Sequence, residues 1–221
     1  MRVITTFAVA VLMLAGNGRA DEAEDQAAAA VVRIGGRYTG KDDAVGRPVT
    51  FVSLGGTKAT DADLKLLTGL KQLDFLALNG TKVTGAGFKE LAQFNHLKVL
   101  MLCDTNITNA GLKNLSAAKH LEVLLLHDTN LDDSGLEHLA CLKNLEMLGI
   151  RRTKITDEGL KKLTACKKLH SLSLNGTKVT DAGLRNLMAI KQLRLLEVGG
   201  TNVTAAGLKA FNDALPDCKI R

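Results

Sequence analysis

Residues 121–144 read LEVLLLHDTNLDDSGLEHLACLKN, and the residues before them, 97–120, read LKVLMLCDTNITNAGLKNLSAAKH. The two stretches share leucines at positions 1, 4, 6, 16 and 19, a threonine at the ninth position and a glycine at the fifteenth. This period of 24 residues continues in both directions without an insertion. Its ninth position is always threonine: Thr57, Thr81, Thr105, Thr129, Thr153, Thr177 and Thr201. Self-similarity at a fixed spacing is typical of repeat architectures, so residues 49–216 are predicted to form seven stacked units.

Each unit contains the pattern of a short strand followed by a helix. Positions 4 and 6 are apolar and alternate around position 5, which predicts a strand that points both side chains inward. Position 12 is Thr, or Asp132 once, and is predicted to cap a helix of about two and a half turns. Apolar positions 16 and 19 share one face of that helix. One unit cannot bury this surface alone, so neighbours must stack.

The consensus L-x-x-L-x-L-x-x-T-x-I-T-x-x-G-L-x-x-L resembles the leucine-rich repeat family, in its 24-residue bacterial form with Thr where Asn or Cys is usual. The resemblance implies an α/β, right-handed solenoid shaped as a horseshoe, with a parallel sheet on the concave face and helices on the convex face. Strands about 4.8 Å apart and helices about 8–10 Å apart agree with such a bend. The ninth-position threonines are expected to form internal hydrogen bonds to the backbone rather than a ligand site.

The segments outside the repeats have separate predicted roles. Residues 1–20 have a basic residue, a compact apolar run and a small-residue end, which indicates a signal peptide and an exported, periplasmic or extracellular protein. Residues 21–48 are predicted to be an N-terminal cap, with a helix over 22–34 that ends at Gly35-Gly36 and a polar loop before the first repeat. Residues 217–221 are expected to add a C-terminal cap strand.

Composition excludes several classes of protein. The chain has 221 residues, of which 46% are apolar, with no Trp, one Tyr and a formal charge of +6. This apolar content argues against disorder, and the mild charge with few aromatics argues against a nucleic-acid binder. No segment reaches the roughly 20 apolar residues of a membrane span. The four cysteines are expected to be reduced and largely buried, with a Cys141–Cys166 disulfide as the open alternative.

The concave face is the predicted site for a protein ligand, as the family resemblance also implies. Its centre is apolar at positions 3 and 5, and an apolar patch on an open surface usually marks an interaction site. Positions 7 and 8 are Gly or Asn in the outer repeats, where they suit turns, but become charged or reactive in the middle. The predicted partner-binding residues are Val99, Met101, Asp104, Val123, Leu125, His127, Asp128, Met147, Arg151 and Arg152.

Two other functions remain open at this stage. Cys103 and His127 occupy the same position on adjacent strands, so a thiol–imidazole pair or a metal site with Asp104 and Asp128 is geometrically possible. An open sheet offers no evident oxyanion hole, so no enzyme activity, cofactor or metal is predicted. Alternatively, a convex face rich in lysine could attract anionic envelope polymers.

Overall fold

The structure is a computed structural model that describes residues 20–39 and 48–221. In this part of the chain nine strands form one sheet, in the order of the sequence. Most of the predicted signal peptide, residues 1–19, lies outside the described residues, as does most of the polar loop of the N-terminal cap, residues 40–47.

The strands recur with the period of the sequence. Neighbouring strands from β2 to β9 are parallel, and each residue faces the one 24 positions later, as Leu124 faces Leu148. The strands are β1 (Arg37–Thr39), β2 (Phe51–Ser53), β3 (Phe75–Ala77), β4 (Val99–Met101), β5 (Val123–Leu125), β6 (Met147–Gly149), β7 (Ser171–Ser173), β8 (Leu195–Glu197) and β9 (Lys219–Ile220).

The convex segments are helical but shorter than predicted. The α-helices are α1 (Ala20–Ile34), α2 (Asn109–Lys113), α3 (Asp133–Leu136), α4 (Asp157–Lys162), α5 (Asp181–Leu187) and α6 (Ala205–Ala214). Segments of 3₁₀ helix continue several of them or replace them: Asp61–Leu67, Phe88–Gln93, Asn114–Ala117, Glu137–Cys141 and Leu163–Ala165. The expected two and a half turns of α-helix are therefore wrong for most repeats. A 3₁₀ helix rises about 2.0 Å per residue against 1.5 Å, so it crosses the convex side in fewer residues.

The core lies between the sheet and these segments. The side chains at positions 4, 6, 16 and 19 are buried almost throughout, with Leu208 the half-buried member. Burial of this stripe in every repeat confirms the predicted strand and helix faces. The α/β leucine-rich repeat solenoid, with its parallel sheet on one side and helical segments on the other, is the fold of the chain.

The ninth-position threonines make the predicted bonds to the backbone. Each hydroxyl donates to the carbonyl oxygen three residues earlier, as Thr129 Oγ1 does to Leu126 at 2.8 Å. In the five central repeats the threonine is buried, with 4–6% of its surface exposed. The bond closes the turn that leaves the strand, within one repeat. These hydroxyls are therefore structural, because burial removes them from any ligand.

Position 12 caps the convex segment in the third to seventh repeats, as predicted, but in the second repeat the N-cap is Gly87 and not Thr84. The backbone of position 12 is also held by the preceding repeat. Thr108, Asp132, Thr156, Thr180 and Thr204 accept a backbone N–H from the first turn that follows. In several repeats an aspartate at position 13 also reaches forward to the next position 12. Asp157, for example, accepts the Thr180 N–H at 2.8 Å and its hydroxyl at 2.7 Å.

The segment before the first repeat contains a strand that the sequence pattern does not predict. Helix α1 ends as predicted at Gly35, which has a φ of +89°, and the Gly36 N–H donates to the Val31 carbonyl at 2.9 Å. The chain then forms β1, antiparallel to β2, where a polar loop was expected. Pairing satisfies backbone groups of β2 that would otherwise stand at an open sheet edge. Strand β1 has only three residues, which is too short for an alternation of apolar and polar side chains to predict it.

Glycine at position 15 is expected to be essential where consecutive backbones touch. A Cβ on Gly111 would lie 2.1 Å from the Thr84 carbonyl oxygen, a backbone atom that cannot move aside alone. Gly111→Ala should lower the free energy of unfolding by about 1–3 kcal/mol, as overpacking does. Urea unfolding followed by circular dichroism measures this. Gly55→Ala is the control, because its nearest neighbours would lie 3.6 Å away; equal stability of the two variants would contradict the prediction.

Candidate functional site

The apolar centre of the concave face is a continuous row of half-buried side chains. The register places Val99 beside Val123 and Met101 beside Leu125, and Met147 follows Val123 on the next strand. All five predicted anchors keep part of their surface exposed, although neighbouring side chains cover the rest. Two phenylalanines at position 3 extend the row toward β1, with ring centroids 4.8 Å apart: Phe51 and Phe75. The predicted set did not include them.

The most exposed large apolar side chains of the described residues lie elsewhere. They are Val32 on α1, with 61% exposed, and Leu66 in the first 3₁₀ segment, with 41% exposed. The concave row is thus less exposed than an open sheet suggested, because adjacent strands bring its side chains into contact. It remains a row of apolar groups that a partner could cover further.

Position 8 has a left-handed backbone in every repeat. In the outer repeats it is glycine, with φ between +64° and +72° at Gly56, Gly80, Gly176 and Gly200. In the three central repeats the same conformation is held by Asp104, Asp128 and Arg152, with φ of 54°, 58° and 51°. Side chains other than glycine are strained in this region. The middle of the solenoid therefore retains side chains at a cost that the outer repeats avoid.

Two of these side chains form an ion pair across neighbouring repeats. Arg152 donates through Nε and Nη2 to the two carboxylate oxygens of Asp128, the second bond measuring 2.7 Å. These bonds lower the pKa of Asp128 below its usual value and raise that of Arg152. Because Arg152 is exposed, the pair contributes little to stability. Its main effect is to hold two charged groups in one orientation at the edge of the concave face.

Position 7 makes hydrogen bonds that the sequence analysis did not foresee. Asn79 Oδ1 accepts the Cys103 N–H at 2.8 Å, and Asn175 Oδ1 accepts the Gly199 N–H at 2.6 Å. His127 Nδ1 accepts the Arg151 N–H at 3.1 Å in the same way. The sequence pattern predicts a turn at these asparagines, and the structure adds that their amide oxygens satisfy the backbone of the next repeat. The signal was present, since Asn, Cys and His share the ability to accept a hydrogen bond.

This arrangement disfavours chemistry at Cys103 and His127. The His127 backbone N–H bonds to the Cys103 sulfur, but burial outweighs that bond and raises the pKa of the thiol. Burial, and then the nearby Arg151 charge, lower the pKa of His127. Because Nδ1 accepts a bond, the proton of the neutral ring is on Nε2. Both groups are therefore held neutral, whereas a reactive thiol needs its thiolate form.

The metal hypothesis gains no support from the described residues, in which no group of three or more His, Cys, Asp or Glu side chains is placed to hold an ion. His127 Nδ1 is already engaged in the hydrogen bond to the next repeat. The Asp128 carboxylate is engaged with Arg152. Two of the four predicted donors therefore face partners of their own.

The four cysteines are free in this structure. Cys166 and Cys218 are buried, and burial raises the pKa of Cys166 to about 11. Cys141 is exposed, so the expectation of buried thiols is wrong there. Its position 21 lies at the end of a 3₁₀ segment, where the side chain turns toward solvent.

The convex lysines and arginines at positions 17 and 23 are all exposed. Lys161 pairs with Glu158 and Lys209 with Asp213 within their own helices, both at 2.7 Å. The exposure of these side chains is ordinary for charged residues on a surface helix.

His127 is expected to make the protein less stable in mild acid. Its pKa is lowered on folding, so the unfolded chain binds the proton first as the pH falls below about 6.5. Unfolding in urea at about pH 8 and about pH 5 should show a larger loss of stability for the native protein than for His127→Asn. Asparagine keeps the acceptor found at this position in other repeats and does not titrate. Identical pH dependence of the two proteins would contradict this role of His127.

The protein is expected to be less stable with Asp104 than with glycine at the same position. Asp104→Gly should raise the free energy of unfolding by up to about 1 kcal/mol, because glycine adopts the left-handed conformation without strain. Thermal unfolding of the variant measures the change. Asp74→Gly, at an exposed position outside the left-handed set, should instead lower stability. A loss of stability in both variants would show that the strain at Asp104 is negligible.

Comparisons with known proteins agree with this fold. A family model described as "Leucine Rich repeat" matches residues 165–188. A search of curated proteins finds no match to the sequence. Among solved structures, internalin C2 from Listeria monocytogenes superimposes with a TM-score of 0.63 and 19% sequence identity. The match covers 89% of this chain and 82% of internalin C2.

No helix of the described residues is long and apolar enough to cross a membrane.

The contacts between repeats support the same fold as the comparisons. Every repeat pairs with the next through strands in register, and the helical segments pack on the opposite side. The seven repeats, the match of residues 165–188 to the family model and the fold shared with internalin C2 together show that this chain has the leucine-rich repeat fold.

Proposed function

We propose that this chain is an exported, non-enzymatic module that binds a protein ligand through the concave face of its solenoid. Solenoids of this kind commonly use their extended concave surfaces for binding. The proposed contacts are the apolar anchors Val99, Met101, Val123, Leu125 and Met147, with Asp104, His127, Asp128, Arg151 and Arg152 around them.

The observation that carries the proposal is the difference between central and outer repeats. At position 8 the outer repeats have glycine, whereas Asp104, Asp128 and Arg152 hold a left-handed backbone beside the apolar row. Strained backbone conformations of this kind cluster at functional sites, and they persist only where the surrounding structure holds them in place. An apolar centre with a charged rim also has the composition of a protein interface.

Export rests on the first residues of the sequence. Arg2, the apolar run from Val3 to Ala15 and the small residues around Ala20 match a signal peptide, and removing them would leave a cap, seven repeats and a final strand. The division into 21–48, 49–216 and 217–221 is part of the same proposal.

Replacing Leu125 with glutamate should abolish ligand capture. The full chain, tagged at its C terminus, is used to capture proteins from an extract of the source cells, beside Leu125→Glu and Leu66→Glu. Leu125 lies in the concave row, so a charge there costs the desolvation of a carboxylate against an apolar partner. Leu66 is exposed on the convex side and serves as the matched control. Circular dichroism confirms that both variants are folded.

A protein captured by the parent and by Leu66→Glu, but lost with Leu125→Glu, supports the concave site. Equal capture by all three contradicts it and favours the convex face. In that case binding should weaken steeply as the salt concentration rises, since contacts of exposed lysines are screened. An apolar concave contact should change little over the same range.

A further inference from the structure

A hollow interrupts the concave face between β5 and β8. Here the side chains at positions 3 and 5 become small, and Gly149, Ser171 and Ser173 leave a floor without large groups. The cavity above them has a volume of about 290 Å³. It lies beside the apolar row and is lined further by Leu125, His127, Met147, Arg151, Leu195 and Glu197.

Gly149 determines the shape of the hollow. A Cβ at this position would lie 2.2 Å from His127 Cε1 and 2.9 Å from Leu125 Cδ2. The imidazole therefore lies over the glycine, and its position is fixed by the bond from the Arg151 N–H to Nδ1. The ring presents a neutral face and an Nε2–H donor at one wall of the cavity.

The floor contains an unsatisfied hydroxyl. Among the described side chains, Ser173 Oγ is the buried polar atom that has no hydrogen-bond partner. A buried polar group without a partner costs free energy, and each such group in a native structure calls for an explanation. Ser173 is also one of the residues that line the cavity. A polar atom arriving there would supply the missing bond.

The charges at the rim oppose each other. Glu197 supplies a carboxylate whose nearest donor is the Asn175 amide, at a long 3.5 Å. Arg151 supplies a guanidinium that makes no ion pair with the described residues. An entering cation or anion would be attracted by one of these two charges and repelled by the other, so the rim favours neither sign of charge. The hollow therefore suits a neutral group that both donates and accepts hydrogen bonds.

The remaining walls are apolar and suit a flat ring. Leu125, Met147 and Leu195 supply aliphatic contacts, and a methionine sulfur packs favourably against aromatic rings. The volume is at the lower end of that for small-molecule sites and accommodates one large side chain. Phenylalanine offers no polar atom and tryptophan only a donor, whereas the tyrosine hydroxyl donates to a carboxylate and accepts from a serine or an imidazole N–H.

We propose that this hollow receives the phenol ring of a tyrosine from the protein ligand, with its hydroxyl between Ser173 and Glu197. The inference rests on the proposed function and adds the chemistry of one contact. Tyrosine is enriched at interface centres, where one end of the ring is dry and the other makes a hydrogen bond.

The test measures binding of a single amino acid side chain to the full chain. N-acetyl-tyrosinamide and N-acetyl-phenylalaninamide are titrated into ¹⁵N-labelled protein, and amide shifts are followed by NMR. The tyrosine compound should shift the amides of Gly149 and Ser173. It should bind at least about threefold more tightly than the phenylalanine compound, the ratio that one net hydrogen bond provides.

Ser173→Ala should reduce this preference, because the hydroxyl proposed to donate to the phenol oxygen is lost while the Glu197 carboxylate remains. Ser53→Ala, at position 5 of the first repeat, is the matched control and should leave the preference unchanged. Equal binding of the two compounds, tighter binding of N-acetyl-argininamide, shifts confined to other surfaces, or no binding at millimolar concentration would each overturn the proposal.

The outcome is separable from that of the ligand-capture experiment. If Leu125→Glu loses a captured protein while the tyrosine compound does not bind, the concave site stands and the tyrosine contact falls. If the compound binds at the hollow but nothing is captured through the concave face, the subsite exists and the proposed protein-binding function fails.

Discussion

The close contact between consecutive repeats on the convex side controls the rest of this structure. At position 15 a backbone without a Cβ lets the preceding repeat approach, and position 13 of that repeat then binds the next position 12. Asp157 does this for Thr180, while Gly183 leaves the space that the carboxylate occupies. Because the contact recurs every 24 residues, it holds the strands on the other side in one register.

The architecture was predictable because it depends on periodicity. Seven threonines and the leucines at positions 4 and 6 are visible in the sequence, and any stack that buries them must place the strands side by side. The length of the convex helices was not predictable in the same way. The choice between an α-helix and a 3₁₀ helix depends on how far a segment must travel, which is a property of the stack rather than of local residues. Strand β1 escaped prediction because pairing with β2, and not its own pattern, defines it.

In the candidate site, too, the positions of the residues were predictable from the sequence, whereas their hydrogen bonds and backbone angles were not. The sequence places His127 and Cys103 on adjacent strands, and the structure does bring them together. Their use differs from that of a reactive pair, since each accepts a backbone N–H from the following repeat. Residue type suggested chemistry, whereas hydrogen-bond geometry assigns a structural role. The strain at Asp104, Asp128 and Arg152 appeared only when backbone angles were known, although glycine at the equivalent positions already indicated a special conformation.

The uniform junctions between repeats also determine where a repeat could be gained or lost without disturbing its neighbours. Where position 13 is Asp and position 15 is Gly, a whole unit of 24 residues presents the same two surfaces as its neighbours, so duplicating or deleting one preserves both joints. The two joints of the third repeat differ. At the first, Gly85 replaces the aspartate and lies directly against Gly111. The Thr108 N–H bonds there to the Thr84 carbonyl instead. At the second, Asn109 replaces it and donates through its amide to Asp132 at 2.7 Å. The third repeat is therefore not interchangeable with its neighbours, and the joints that would tolerate the gain or loss of a unit are those between the fourth and seventh repeats.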